Sequence, residues 1–394
     1  MNPNYEFLGP RFTTPGMRNI LSLDGGGTRG IFSLQILARM EKLLREHSGK
    51  PDLVLADYFH FFGGTSTGAI IAAALAWGAS VKTIETFYLD QSRRVFGTKT
   101  IWTRLQSKYH AQELTRLLRD FFSVNGEPAK LGTDRLRTYY LCVMRNATTG
   151  APWIITNNPK AKYNDAALAE NNLRLPLYQL IRASTAAPTF FRPEEISAAD
   201  QSWMFLDGAV TPYNNPAFIM YLTATLPCFG MRWEEGEDRL RIISVGTGRM
   251  RVKFAKRHAR EINVLDQAAH AVNALIDSNN QHQDLTCRAL GRCLYGEEID
   301  SEVETLMLPV DAGGGVAAEE SAPAQAVEAS LEARGGPARR FLYCRYNHNL
   351  TPEEIEAARP IPNFFAVDNL QAIEFLKELG TKFAAGSVRM EHLV

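Results

Sequence analysis

The 394-residue chain is poor in cysteine and has no surplus charge. Its five cysteines, Cys142, Cys228, Cys287, Cys293 and Cys344, are odd in number and contain no C-x-x-C pair. They indicate neither a disulfide framework nor a thiolate zinc site, and they suit a reducing compartment. Lysine plus arginine and aspartate plus glutamate number 43 each, so no net field favours a nucleic-acid polymer and only local patches can attract one. No run reaches the roughly 18 consecutive apolar residues of a spanning helix. Met1 to Pro15 is polar and interrupted by prolines, without the apolar segment of a signal peptide. The expectation is a cytoplasmic protein that meets any membrane from its surface. There is no internal repeat. Hydrophobic residues at 45% and charged residues at 22% are ordinary for a globular chain of this length.

Two glycine-framed loops stand out. Asp24-Gly25-Gly26-Gly27-Thr28-Arg29-Gly30 follows the apolar run Asn19 to Leu23, and Gly64-Thr65-Ser66-Thr67-Gly68 follows Phe59 to Gly63. Each precedes a stretch with helical character. The second loop fits G-x-S-x-G, in which a serine sits on a sharp strand-to-helix turn and the flanking glycines relieve crowding. The first offers backbone N–H groups free of side-chain cover, suited to an anion. Acyl transfer builds negative charge on a carbonyl oxygen, so a nucleophilic serine needs such donors nearby.

Further along, strands are expected at Thr138 to Met144, Trp153 to Thr156, Ser202 to Leu206, Arg241 to Val245 and Phe341 to Tyr346. Helices are expected at Ile31 to Glu46, Ala69 to Trp77, Thr83 to Tyr88, Ala111 to Phe122, Leu177 to Ala187, Thr351 to Ala358 and Leu370 to Leu379. Strands alternating with helices predict an α/β fold with a largely parallel sheet, whose sites gather at strand C-termini. Asp24, Ser66 and Asp207 all fall at such ends. Residues 311–338 are rich in Ala, Gly, Glu and Pro with no aromatic residue, which reads as a flexible insertion. The expected organisation is a catalytic domain over 18–250, a helical extension over 251–310, that insertion, and a C-terminal α/β extension over 339–394.

The base for Ser66 has two candidates. His348, after an apolar strand, is the best placed of the eight histidines for a triad, though a surface turn is its plainer reading. Asp207 ends a strand, and Gly208 permits a tight turn that bares its carboxylate. Asp24 shapes the glycine loop through side-chain to backbone hydrogen bonds in this reading.

The ordered blocks DGGGTRG, GTSTG, Ala183 to Phe191 and Asp207-Gly208-Ala209 resemble the patatin-like phospholipases over about Arg18 to Gly248. The resemblance implies a three-layer sandwich with helices flanking the sheet. It implies hydrolysis of phospholipid acyl esters by a Ser66–Asp207 dyad without histidine. Gly25, Gly26, Gly27 and Arg29 would form the oxyanion loop, with Gly26 and Gly27 donating N–H groups. Asp24, Gly30, Gly64, Gly68 and Gly208 would support the motifs. No cofactor or metal is implied. The family includes antiviral effectors of bacteria switched on by cyclic nucleotides, which makes such a nucleotide a candidate partner beside the phospholipid surface. The basic and aromatic segment Tyr88 to His110 is a candidate lipid gate, Arg249 to Arg260 a second basic run, and the region after Phe341 a candidate sensor. Two other readings stand open. DGGGT also resembles the phosphate loop of actin-like sugar kinases, with Asp24 helping to hold magnesium. The third reading is an idle lipid-binding scaffold.

Overall fold

The computed structural model describes residues 14–96, 103–188, 190–250, 264–297 and 339–394, together with Leu8, Phe12 and Ile299. Nine strands form the main sheet among these residues. They are β1 (Arg18–Leu23), β2 (Phe61–Thr65), β3 (Tyr139–Asn146), β4 (Pro152–Thr156), β5 (Glu194–Ala198), β6 (Gln201–Asp207), β7 (Leu240–Val245), β8 (Arg292–Tyr295) and β9 (Leu342–Tyr346). Their order is β8-β9-β7-β1-β2-β3-β6-β5, with β4 also on β3. From β8 to β3 all pairings are parallel, and β4, β5 and β6 join antiparallel.

Alternation along the strands builds two cores. Leu21, Leu23, Phe62, Tyr140, Ile243 and Val245 face one core. That core is shared with α1 (Gly30–Ser48), α2 (Thr67–Ala76) and α3 (Val81–Phe96). Ile20, Phe61, Leu141, Val143 and Ile242 face the other, against Ala217, Met220 and Ala224 of α6 (Ala217–Thr225). Two further helices, α4 (Thr103–Phe121) and α5 (Leu177–Ser184), lie between those ranges in the chain, and α7 (Val264–Leu290) comes after them. The expected α/β sandwich with a largely parallel sheet and flanking helices is therefore present. In α2 every residue is buried, and its small side chains let it lie close against β2 and β3.

Residues beyond 250 enter the same sheet. β9 lies between β7 and β8, and α8 (Ile373–Ser387) packs on α1. The strands β5 and β8 carry no clear apolar alternation and escape sequence reading. The proposed insertion at 311–338 lies outside the described residues, as do 97–102 within the Tyr88 to His110 segment and 251–260 of the second basic run.

One detail of topology positions the site. β3 has β4 along one edge over Leu141 to Arg145. On its other edge β2 pairs as far as Thr65↔Val143, and β6 takes over at Met144↔Asp207. β2 runs parallel to β3 and β6 antiparallel, so their C-terminal ends converge head-on at adjacent positions of one strand.

Candidate active site

That convergence brings Ser66 and Asp207 together. The Ser66 hydroxyl donates to Asp207 Oδ2 at 2.7 Å. Ser66 has φ 55°, the left-handed region that a side chain rarely occupies. Its flanking glycines are sterically required: a Cβ on Gly64 would overlap the Gly68 backbone, and one on Gly68 would overlap Leu23 and Asp24. The Ser66 N–H donates to Ser184 Oγ at 2.9 Å, and Ser184 Oγ–H donates to the Val143 carbonyl at 2.6 Å. Ser184 thus ties the elbow to β3 through α5.

Asp207 is buried. Its Oδ1 accepts from the Ala209 N–H at 2.8 Å, a turn that Gly208 allows because a Cβ there would meet the Val143 carbonyl. Burial pushes the carboxyl up to about 6, against the pull of the Ala209 N–H, the Ser66 hydroxyl and the Arg182 guanidinium. Arg182 is itself buried and stacks over Phe191 at 4.6 Å.

The glycine loop lies beside Ser66, since a Cβ on Gly25 would sit 3.2 Å from Ser66 Cβ. Each peptide of the loop is held from behind. The Gly26 carbonyl accepts from Arg29 N–H and from Arg29 Nε, both at 3.2 Å. The Gly25 carbonyl accepts from Asn214 Nδ2 at 3.5 Å. In a trans peptide the N–H points opposite to the C=O, so these holds turn the Gly27 and Gly26 N–H groups outward. Neither has an acceptor among the described residues. The Gly25 N–H differs, because it donates to the Asn214 carbonyl at 3.2 Å. Arg29 also stacks over Phe365 at 4.4 Å, and Gly30 abuts Thr67 and Tyr88.

The next peptide is clamped from both sides. The Gly27 carbonyl accepts from Tyr88 Oη and from Thr67 Oγ1, the latter at 3.0 Å. The Thr28 N–H donates to the Val367 carbonyl at 2.6 Å. Val367 and Phe365 precede α8, so a C-terminal turn is seated on the glycine loop. No local signal in the sequence links these residues. Tyr88 is buried in this clamp, and Arg94 pairs with Asp90 at 2.9 Å. Tyr88 therefore serves an internal contact, whereas the Arg94–Asp90 pair lies on the exposed face of α3. In the second basic run, Arg249 is paired with Asp277 at 3.0 Å.

Three expectations are corrected by this geometry. Asp24 makes no side-chain bond to the loop backbone: its Oδ1 and Oδ2 accept from Arg345 Nη1 and Nη2 at 2.8 and 2.6 Å. Burial raises the Asp24 carboxyl while the guanidinium opposes this, and a bidentate cation satisfies both oxygens better than scattered amides do. The buried guanidinium already neutralises the Asp24 carboxylate, an arrangement unlike the magnesium role that the kinase reading gives it. His348 is the third. It is neither a turn histidine in solvent nor a partner of Ser66, but bridges Glu297 at 2.9 Å and Glu354 at 2.7 Å. Burial alone would lower its pKa, and the two carboxylates outweigh that and raise it.

A serine on a left-handed elbow, bonded to a buried carboxylate beside two outward amides, has the parts needed for acyl transfer. Comparison with known proteins agrees. The family model described as patatin-like phospholipase matches residues 21–221. A cGAMP-activated phospholipase of Vibrio cholerae is 29% identical over 225 residues, covering 55% of this chain and 59% of that protein. Patatin-like protein 1 of Arabidopsis thaliana is 31% identical over 256 residues, covering 58% of each. The chain thus spans less than two thirds of the length of either relative. Among solved structures, human GIVD cytosolic phospholipase A2 aligns over 99% of this chain and 62% of its own, at 10% identity and a TM-score of 0.48. The match over 21–221 takes in both glycine loops and the Asp207 turn, and this chain belongs to the patatin-like phospholipase family.

Proposed function

We propose that the chain cleaves ester-linked acyl chains of membrane phospholipids, with Ser66 as nucleophile and Asp207 as its base, and that a cyclic nucleotide switches the activity on. The observation that carries the chemistry is the 2.7 Å hydrogen bond from Ser66 to Asp207 at the strained elbow. Ser66 Oγ attacks the ester carbonyl carbon while Asp207 takes its proton. The Gly26 and Gly27 N–H groups receive the tetrahedral oxyanion. Collapse expels the glycerol-side alcohol, which leaves with the proton held by Asp207, and the acyl group remains on Ser66. Water then attacks that acyl carbon, giving its proton to Asp207. The second collapse releases the fatty acid and returns the proton to Ser66. A carboxyl near 6 is mostly ionised at neutral pH yet more basic than an ordinary carboxylate, which suits this duty.

In this reading residues 18–250 form the catalytic domain. Residues 339–394 brace it through Arg345, Phe365 and Val367, and residues 264–297 through Asp277 on Arg249 and Asn280 on Asn214. The enzyme works in the cytoplasm and touches the inner membrane surface when active. The cyclic-nucleotide switch is supported by the name of the Vibrio cholerae relative, a cGAMP-activated phospholipase. A resting state and a ligand-selected active state would protect a cell from its own lipase, in keeping with a role in antiviral signalling.

A fluorophosphonate probe tests the chemistry. Labelling of Ser66, mapped by mass spectrometry and absent from Ser66→Ala, is expected. Release of free fatty acid from phospholipid vesicles should rise on adding cyclic GMP–AMP. An unlabelled Ser66, or hydrolysis retained by Ser66→Ala, overturns the assignment.

A further inference from the structure

The chain is electrically neutral as a whole, yet one cavity is lined mainly by positive charge. A cavity of about 1540 Å³ opens at the end of the sheet opposite Ser66. Arg18 at the start of β1, Tyr139 at the start of β3 and Arg239 just before β7 line it, whereas Asp24 and Ser66 follow the far ends of β1 and β2. Strands of this length separate the two ends by roughly 20 Å. Among the described residues, seven cationic side chains line the cavity against two carboxylates, Asp165 and Glu234. Glu234 is already committed to Arg239 at 3.6 Å. Lys130, Lys160, Lys162, Arg174 and Arg232 have no carboxylate partner among the described residues.

The cavity also has an aromatic floor. Tyr139 and Trp233 are half-buried, with ring centroids 5.9 Å apart, and Phe12 stands edge-on to Tyr139 at 5.5 Å. The loop carrying Trp233 is fixed by the Trp233 N–H donating to the Ala224 carbonyl at 2.8 Å. Unpaired cations around ring surfaces in a concavity suit a compact ligand that carries both phosphate and planar bases. A membrane is a flat surface and would leave the recessed Tyr139 and Trp233 rings unused. The volume exceeds the roughly 300–1,000 Å³ of common small-molecule sites, leaving room for two linked nucleotides.

We propose that this basal cavity is the binding site for a cyclic dinucleotide, with the lysines and arginines on its phosphates and Trp233 and Tyr139 against its bases. This deepens the switch proposed above and rests on that reading for its consequence, though not for binding itself. The route to the reactive end is short in the fold. Trp233 and Tyr139 rest on Phe61 at 6.2 and 6.3 Å. Phe61 opens β2, which ends beside Ser66, and Tyr139 opens β3, along whose edge Ser66 and Asp207 meet.

The test is calorimetric titration of the full chain with 3′,3′-cyclic GMP–AMP, with inorganic phosphate, and with phosphatidylglycerol vesicles, in parallel. Saturable binding of the dinucleotide is expected, weakened by salt. The double variant Lys160→Glu/Arg232→Glu should lose at least about tenfold in affinity, with an unchanged melting curve and unchanged unstimulated cleavage of a short-chain nitrophenyl ester. Trp233→Ala should also weaken binding. Ser66→Ala should bind like the parent, so binding and hydrolysis fail separately: binding without hydrolysis leaves the site standing and removes the lipase reading. Undetectable dinucleotide binding, binding indifferent to both variants, or binding of vesicles alone overturns the site.

Discussion

Arg345 and Asp24, 321 residues apart in sequence, form a fully buried bidentate ion pair beneath the glycine loop. Arg345 also donates to Ser244 Oγ at 2.7 Å, so one guanidinium joins β9, β7 and the end of β1. Removing one partner of such a pair leaves an uncompensated buried charge, at a cost of about 3–5 kcal/mol. Arg345→Met should therefore destabilise the chain by that order in urea unfolding. The double variant Asp24→Asn/Arg345→Met should recover much of the loss. Equal instability of the single and double variants would show that the pair is not the unit holding the loop.

Ser66→Ala and Asp207→Asn should each lower the hydrolytic rate by about a thousandfold or more, and the double variant should be little worse than either. The two groups act on one proton, so their losses do not add. His348→Ala should leave kcat largely intact, since both of its ring nitrogens are engaged by Glu297 and Glu354. Steady-state kinetics on one fluorogenic ester measures all four.

As the proposed base, Asp207 must be ionised to accept the serine proton. With its carboxyl raised to about 6, kcat/KM should climb as pH rises through about 6 and level off above it. Stability should run the other way. The folded state binds the proton more tightly than the unfolded state, so Asp207 favours folding at low pH and this contribution is lost as pH rises from about 4 to about 6. Asp207→Asn should thus raise the melting temperature at pH 8, by an amount worth at most about 3 kcal/mol, and change it little at pH 4. A gain over the parent no larger at pH 8 than at pH 4 would contradict the raised pKa.

Gly27 has φ +57°, and a Cβ there would run into the Val367 carbonyl. Gly27→Ala should displace the C-terminal turn and abolish activity while leaving the sheet intact. Phe365→Ala, which removes the ring under Arg29 and its packing on Phe364, should cause a partial loss. Hydrogen exchange over residues 24–30 and 361–369 should report both, with faster exchange in the two segments together.

The reactive elements are legible in the sequence because each obeys a local rule. Glycines frame a turn that only glycine fits, and the C-terminal end of a parallel strand bares the residue just beyond it. Those rules make Ser66 and Asp207 candidates, the resemblance of the ordered blocks prefers Asp207 to His348, and a geometric reason for the pair's meeting appears only in the shared edge of β3. The supporting residues are not legible. Arg345, Asn214, Val367 and Tyr88 reach the loop through tertiary contacts that leave no periodic trace in sequence. Ser184 is an intermediate case: it lies inside the block Ala183 to Phe191, whose order in the chain is informative while its hydrogen bond to the elbow is hidden. For Asp24 the sequence suggests local backbone bonds or a magnesium ion, because its true partner lies so far away.

The position of β9 has a consequence for the life of the nascent chain. This strand pairs with β7 on one side and β8 on the other, and it delivers Arg345 to Asp24. At 5–20 residues per second a ribosome makes Arg345 roughly 15–65 s after Asp24. Throughout that interval Asp24 has no guanidinium to neutralise it, and the turn carrying Val367 has not yet been made. The serine and its aspartate are synthesised early, but the floor beneath their oxyanion loop arrives late. A chain built this way completes its candidate site only after the strand carrying Arg345 has slotted into the sheet.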